Sequence, residues 1–208
     1  MNPWISLAWA AALAGTTWWL TPWLAGGLHR KPPPRWLSRR LHVLIAATAG
    51  AALPLLQVST AEQVVLAIAA LGVLLAATVD AIELRLPNAV LSPTAVSVLT
   101  GWTLIASHTG SWQPLITACL CAVGTGAVLL AVCLTSPTHL GLGDVKLAAV
   151  VSLTLGWFGW PTVILGLFAT SLLALAIATT LTLARRRSAP FPLGPTLAAG
   201  TAIALALN

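Results

Sequence analysis

The chain alternates between long apolar segments and short polar breaks, and this alternation constrains its fold more than any other feature. Eight apolar segments can be drawn, at about residues 4 to 26, 41 to 57, 62 to 82, 89 to 107, 113 to 135, 146 to 160, 161 to 184 and 194 to 207. A helix needs about 20 apolar residues to cross a bilayer. Only 7% of the residues are charged, compared with roughly a quarter in soluble domains. The pattern predicts an all-α, polytopic membrane protein with six to eight transmembrane helices.

The basic residues indicate how these helices are oriented. If all eight segments span the membrane, all ten basic residues fall on the same side: Arg30, Lys31, Arg35, Arg39, Arg40, Arg85, Lys146, Arg185, Arg186 and Arg187. Lys and Arg near short loops are retained in the cytoplasm. We therefore expect eight spans, both termini outside, and a location in the inner or plasma membrane. The short sixth and eighth segments are the weakest candidate spans.

The polar breaks are too short to hold a soluble domain, so residues 1–208 are predicted to form a single integral membrane domain. The break at about residues 27–41 is basic and contains the stretch Pro32-Pro33-Pro34. It predicts an extended cytoplasmic loop that lies against anionic lipid. Loops of this kind account for the net charge of +6. The expected partner is the lipid bilayer and not nucleic acid, and no oligomeric state is predicted.

Cysteine and histidine spacing argues against a metal site. Cys119, Cys121 and Cys133 lie within one apolar segment, which predicts buried, reduced thiols that pack as small apolar groups. The four histidines are scattered along the chain, whereas structural zinc needs about four converging ligands. We therefore expect neither a metal nor a cofactor.

The four acidic residues are the candidates for chemistry. Glu62 falls in a predicted outer break, where it needs no partner. Asp80 ends the third apolar segment and Asp144 leads into the sixth, both near the predicted cytoplasmic face. Ionisable groups at membrane depth are costly and mark functional sites. Glu83, one helical turn beyond Asp80, can pair with Arg85 or tune Asp80, but it is predicted to be a solvated loop residue.

Each aspartate also has a purely structural interpretation. Asp80 can be a helix-terminal acid that pairs with Arg85, and Asp144 can be a helix N-cap. Together, however, two carboxyls on one side and at similar depth predict an aspartic dyad that shares one proton. The ionised member would take a proton from the attacking water, and its protonated partner would donate to the developing oxyanion. Gly141 and Gly143 are expected to allow unusual dihedrals and close approach by another backbone.

Three motifs carry a resemblance to a known family: Asp80 with Pro87-Asn88 seven residues later, Gly141-Leu-Gly143-Asp144-Val-Lys146, and Pro192-Leu-Gly194-Pro195. They resemble the first aspartate with its Pro-Asn pair, the GxGDxK signature and the closing P-F-G-P segment of the prepilin peptidases, or type IV leader peptidases, a branch of the GxGD aspartyl proteases. Leu193 stands where Phe is usual. The resemblance covers a core at about residues 74–200.

The resemblance implies an intramembrane aspartyl endopeptidase whose catalytic residues are Asp80 and Asp144. Its partners would be type IV pilin-like or secretion pseudopilin precursors, whose basic leader peptides are cleaved after a Gly at the cytoplasmic membrane face. Many members also carry a CxxC…CxxC module between the first two helices, associated with N-methylation of the new terminus. The first break here contains no cysteine, so the chain resembles the short members and no methyltransferase activity is expected.

Supporting roles are expected for further motif residues. Pro87 and Asn88 are expected to shape the turn after the third helix, and Gly194 with Pro195 to bring the last helix close to the dyad. Lys146 is either an interfacial anchor or an electrostatic aid to catalysis. Two functions of other classes stay open: a proton-coupled transporter that uses the same acids, and a non-enzymatic scaffold of a pilus or secretion assembly.

Overall fold

A computed structural model of the protein describes residues 3–27, 39–135, 141–183 and 192–208. Within these ranges it contains eight α-helices: α1 (Pro3–Gly27), α2 (Arg39–Ala52), α3 (Thr60–Glu83), α4 (Asn88–Thr109), α5 (Gln113–Thr135), α6 (Leu142–Gly156), α7 (Trp160–Leu183) and α8 (Gly194–Ala206). A short 3₁₀ helix, Leu53–Leu56, follows α2. The predicted all-α fold is confirmed, since each apolar segment forms a helix and the described ranges contain no strand.

Four helices in the described ranges are long and apolar enough to cross a membrane, namely α3, α4, α5 and α7. The stretch Arg40–Leu56 and α8 are apolar but shorter. With 15 and 13 residues, α6 and α8 fall below the length of about 20 that a span requires. The count of eight spans and the position of the termini therefore stay predictions. Most of the predicted basic loop at residues 27–41 lies outside the described ranges.

The helices pack as sequential pairs, and three of them meet in the interior. Helix α1 packs on α2, α3 on α4, α5 on α6 and α7 on α8, while α3, α6 and α8 also contact one another. Close approach depends on small residues: a Cβ on Gly200 of α8 would lie 2.7 Å from the carbonyl oxygen of Gly166 in α7. This packing brings the end of α3 and the starts of α6 and α8 to one end of the molecule.

The opposite end of the molecule is closed by aromatic and polar contacts. Trp102 of α4 is fully buried and stacks on Trp157, with ring centroids 4.4 Å apart and planes 7° apart. The Trp157 indole N–H donates to Glu62 at 2.8 Å. Glu62 lies in the first turn of α3, where its carboxylate also accepts the Ser59 backbone N–H at 2.8 Å. The prediction that Glu62 needs no partner is therefore wrong, because this carboxylate caps α3 and ties it to the end of α6.

Candidate functional site

Asp80 lies in the last turn of α3 and is only 4% exposed. Its Oδ2 accepts a hydrogen bond from the backbone N–H of Gly194, with an N···O distance of 2.8 Å. Gly194 is the first residue of α8, and the first N–H groups of a helix have no acceptor within that helix. The start of α8 therefore supplies a backbone donor that holds the Asp80 carboxyl in position.

Only glycine fits at position 194 without a shift of its neighbours. A Cβ there would lie 3.0 Å from the Cα of Ala77, 3.0 Å from Oδ2 of Asp80 and 3.1 Å from Cβ of Asp80. Pro195 follows in the first turn of α8, where a missing N–H leaves no helical hydrogen bond broken. The Pro192–Pro195 segment thus starts a helix in direct contact with the backbone that carries Asp80.

Asp144 lies in the first turn of α6 and is half-buried. Its Oδ2 accepts the backbone N–H of Gly141, the residue that caps the helix, at 3.3 Å. The alternative interpretation of Asp144 as the N-cap is wrong, because α6 begins at Leu142 and Asp144 is its third residue. A carboxylate in the first turn is favoured by the helix macrodipole. Asp144 is therefore held by its own helix start.

The two glycines before Asp144 differ in what they do. Gly141 has φ −81° and ψ 147°, which other residues also adopt, so the predicted unusual dihedrals are not found at this position. Gly143 provides close approach: a Cβ there would lie 2.9 Å from the Cβ of Leu86. Leu86 belongs to the turn between α3 and α4, just after Asp80 in sequence. The contact therefore joins the start of α6 to the end of α3.

These contacts bring the segments that carry Asp80 and Asp144 to the same end of the molecule. Two neighbouring carboxyls can hold one proton between them, so that one acts as a base while the other acts as an acid. In the described part of the chain, no three His, Cys, Asp or Glu side chains converge to form a candidate metal site. Cys121 and Cys133 are buried, and Cys119 is half-buried.

Glu83 is the third acidic residue at the end of the molecule that carries Asp80 and Asp144. It is the last residue of α3 and forms an ion pair with Arg85, as the sequence suggested. The Glu83 side chain is only 4% exposed, however, so its prediction as a solvated loop residue is wrong. After it, Leu84 adopts φ +55° and ends the helix by donating its N–H to the Asp80 carbonyl at 2.8 Å. This left-handed residue turns the chain sharply away just beyond Asp80.

Lys146 contacts a second motif of the sequence. Its Nζ donates to Oδ1 of Asn88 at 3.0 Å, and Asn88 is the first residue of α4, directly after Pro87. Both side chains are exposed to the surroundings of the protein. The bond links α6, two residues after Asp144, to the turn that follows Asp80. Each residue stands in a motif of the sequence, but nothing in either motif indicates that the two side chains pair.

Removing the Lys146–Asn88 hydrogen bond is expected to lower the stability of the protein slightly, and by a similar amount whichever side chain is replaced. Because the bond is exposed and therefore screened, Lys146→Met and Asn88→Ala should each lower the free energy of unfolding by about 1 kcal/mol or less. This corresponds to about 2–4 °C in the melting temperature for a protein of this size, measured in detergent. The melting temperature of the double variant should be no lower than that of the less stable single variant. Lys146→Arg keeps a donor at this position and should retain most of the stability. Additive losses would show that the two side chains do not act as a pair.

Comparison of the sequence with known proteins identifies the family of the chain. No curated protein matches the chain, and no solved structure does. The model of the type IV leader peptidase family matches residues 67–179, which is more than half of the 208 residues. The matched range contains Asp80, Asp144 and the whole chain between them, and it ends before Gly194. The match shows that the chain belongs to the type IV leader peptidase family.

Proposed function

We propose that the protein is an intramembrane aspartyl endopeptidase in which Asp80 and Asp144 form the catalytic pair. Its membership of a leader peptidase family makes it a peptidase, and its long apolar helices make it a membrane protein. The observation that carries the aspartyl assignment is that the end of α3, which carries Asp80, meets the start of α6, which carries Asp144, where Gly143 packs closely against Leu86. Residues 74–200 would form the catalytic core within one membrane domain.

In the proposed mechanism the two carboxyls exchange roles through one shared proton. The ionised carboxylate takes a proton from water, and the oxygen of that water forms a bond to the carbonyl carbon of the scissile peptide. The protonated carboxyl donates to the carbonyl oxygen, which gives a tetrahedral diol. The carboxyl that took the water proton then donates it to the amide nitrogen, and the other carboxylate takes a proton from a diol hydroxyl as the C–N bond breaks. The leader leaves with a new carboxyl terminus, and the pair again holds one proton. Backbone N–H groups of Gly194 and Gly141 support both carboxyls, which limits their reorganisation during the reaction.

We further propose that the substrates are type IV pilin-like or pseudopilin precursors, cleaved after a Gly at the cytoplasmic membrane face. Arg85 and Lys146 lie beside the two aspartates in the fold, and basic residues favour the cytoplasmic side. Peptidase activity without N-methylation is expected, because the break between the first two helices contains no cysteine. Asn88 and Lys146 would act by holding the two aspartate-bearing segments together.

Purified protein in liposomes tests this proposal against a precursor with a basic leader, a glycine and an apolar helix. Mass spectrometry should find a product that begins directly after the glycine and that gains no methyl group when a methyl donor is present. Cleavage should persist in a metal chelator, because both proposed catalytic groups are carboxyls. An intact precursor, together with solute flux that depends on a proton gradient, would instead identify a transporter.

A further inference from the structure

An apolar groove of about 820 Å³ begins beside the segment that carries Asp80. Its walls are formed mainly by α2, α3 and α8, and along α3 it extends from Leu66 to Ala81. At 1.5 Å per residue, this stretch of α3 is about 22 Å long. The groove therefore extends over most of the thickness that a membrane helix crosses, which is about 30 Å.

One end of the groove is continuous with the candidate active site. Ala77 and Ala81, on either side of Asp80 in α3, line the groove. Pro192 and Pro195 line it as well, and they flank Gly194, whose N–H binds Asp80. A segment that occupied the groove would therefore end next to the Asp80 carboxyl.

The other end of the groove is closed by contacts between the α1–α2 pair and α3. Trp9 of α1 donates its indole N–H to the Gln63 side chain of α3 at 2.8 Å, and Leu13 packs in the same core cluster as Leu66. Nearer to Asp80, Leu41 of α2 is exposed and lines the groove. The α1–α2 pair is thus attached at the end far from Asp80 and borders an open space near it.

The surface of the groove offers almost nothing to a polar ligand. Among the described residues that line the groove, the only hydroxyl groups belong to threonines of α3, α6 and α8. Each donates to a carbonyl of its own helix: Thr78 to Leu75, Thr154 to Val150 and Thr201 to Leu197. The remaining lining residues are apolar, and many of them are alanines. Small side chains allow the backbones of two helices to approach closely in a membrane.

We propose that this groove binds the apolar helical segment of the precursor that directly follows the scissile bond. The inference rests on the proposed peptidase function and adds the place where substrate is recognised. The groove is open along one side, so it takes one face of a helix and leaves the opposite face uncovered. One face of the substrate helix lies in the groove and the other faces lipid, which places the peptide before it at Asp80.

Filling the groove tests the proposal. Ala70→Phe in α3 and Ala202→Phe in α8 add an aromatic ring to two of its walls. Each variant should raise KM for the model precursor by about tenfold or more while kcat changes little, because binding is lost equally in the ground and transition states. A soluble peptide with the same leader and glycine, but no apolar segment, should be cleaved as by the wild type. Ala127→Phe, on the exposed face of α5, is the matched control and should leave both parameters unchanged.

Photo-crosslinking gives a second measurement that does not depend on a bulky substitution. A photoreactive side chain at position 199, on the α8 wall, should crosslink to the apolar segment of a precursor retained by the Asp80→Asn variant. The same group at position 127 should not. Wild-type KM in both phenylalanine variants, or crosslinks from position 199 to lipid alone, would overturn the groove proposal. Failure of the wild type to cleave any precursor would instead overturn the proposed function.

Discussion

Precursor cleavage is expected to fall at least about a hundredfold in Asp80→Asn and in Asp144→Asn, because each variant loses one proton-transferring group. Asparagine has the size of aspartate and still accepts the backbone hydrogen bonds from Gly194 and Gly141, so the surrounding structure is retained. Its amide neither stores nor transfers the shared proton. The measurement is the initial rate of precursor cleavage at equal amounts of folded enzyme in the membrane.

Two further variants separate loss of chemistry from loss of fold. Glu62→Gln removes a charge from the same helix as Asp80, but at the opposite end, where Glu62 binds Ser59 and Trp157. It should keep the wild-type rate within a few fold, since exposed or partly exposed hydrogen bonds contribute only about 1 kcal/mol. The double aspartate variant should be no slower than the slower single variant, because the pair acts as one unit. A near-normal rate in either asparagine variant would exclude that aspartate from the chemistry.

The helices could be predicted from the sequence because a helix that crosses a lipid bilayer needs a long apolar segment. The observed bounds fall within a few residues of the apolar segments, with two exceptions. Helix α2 ends at Ala52, where the 3₁₀ helix Leu53–Leu56 follows, and α6 ends at Gly156 instead of about residue 160 and begins at Leu142 instead of about residue 146. The earlier start of α6 has a local cause: Gly143 and Asp144 look like a polar turn, yet they form the first helical turn. The Asp144 carboxylate stabilises this turn by accepting the N–H of the cap residue.

The side of each helix that faces its neighbours could not be predicted in this way. In a soluble protein a polar face marks the exposed side, but a membrane helix can be apolar all round. The most apolar stretches of α3 and α5 have nearly equal hydropathy, 2.4 and 2.3, but 67% of the former is buried and only 11% of the latter. Burial of α3 and exposure of α5 are therefore set by packing between helices, which the hydropathy of the two segments does not reveal.

For the same reason the motifs identified the site residues but not their contacts. Asp80, Asp144 and Gly194 each stood in a short pattern that could be recognised from neighbouring letters. The hydrogen bond from Gly194 to Asp80 joins residues more than a hundred positions apart, and only the packing of α8 against α3 creates it. The burial of the Glu83 side chain was missed because its charge and its place at a segment end suggested solvent.

Substitution of Gly194 should strongly lower kcat, because this residue makes the long-range contact with Asp80. Gly194→Ala should lower kcat about tenfold and Gly194→Pro about a hundredfold, consistent with the cost of misplacing a catalytic group or losing a fixed donor. Alanine keeps the N–H, but its Cβ would stand 3.0 Å from Oδ2 of Asp80 and must push α8 away from α3. Proline adds the same Cβ and also removes the N–H that Asp80 accepts. Proline is tolerated in the first turn of a helix, so α8 itself should still form.

Both variants introduce the same Cβ, but proline also adds a ring that disfavours the αR conformation of Leu193, so its larger loss combines this steric effect with the missing hydrogen bond. Gly124→Ala is the matched control: a Cβ on this α5 glycine meets nothing within 4 Å, so kcat should stay at the wild-type value. The kcat values are measured with saturating precursor and normalised to protein that remains folded in the membrane. Equal kcat for the proline and alanine variants would mean that the Gly194 N–H contributes nothing, and that α8 acts on Asp80 only through its close packing. A wild-type kcat in both would remove α8 from the active site altogether.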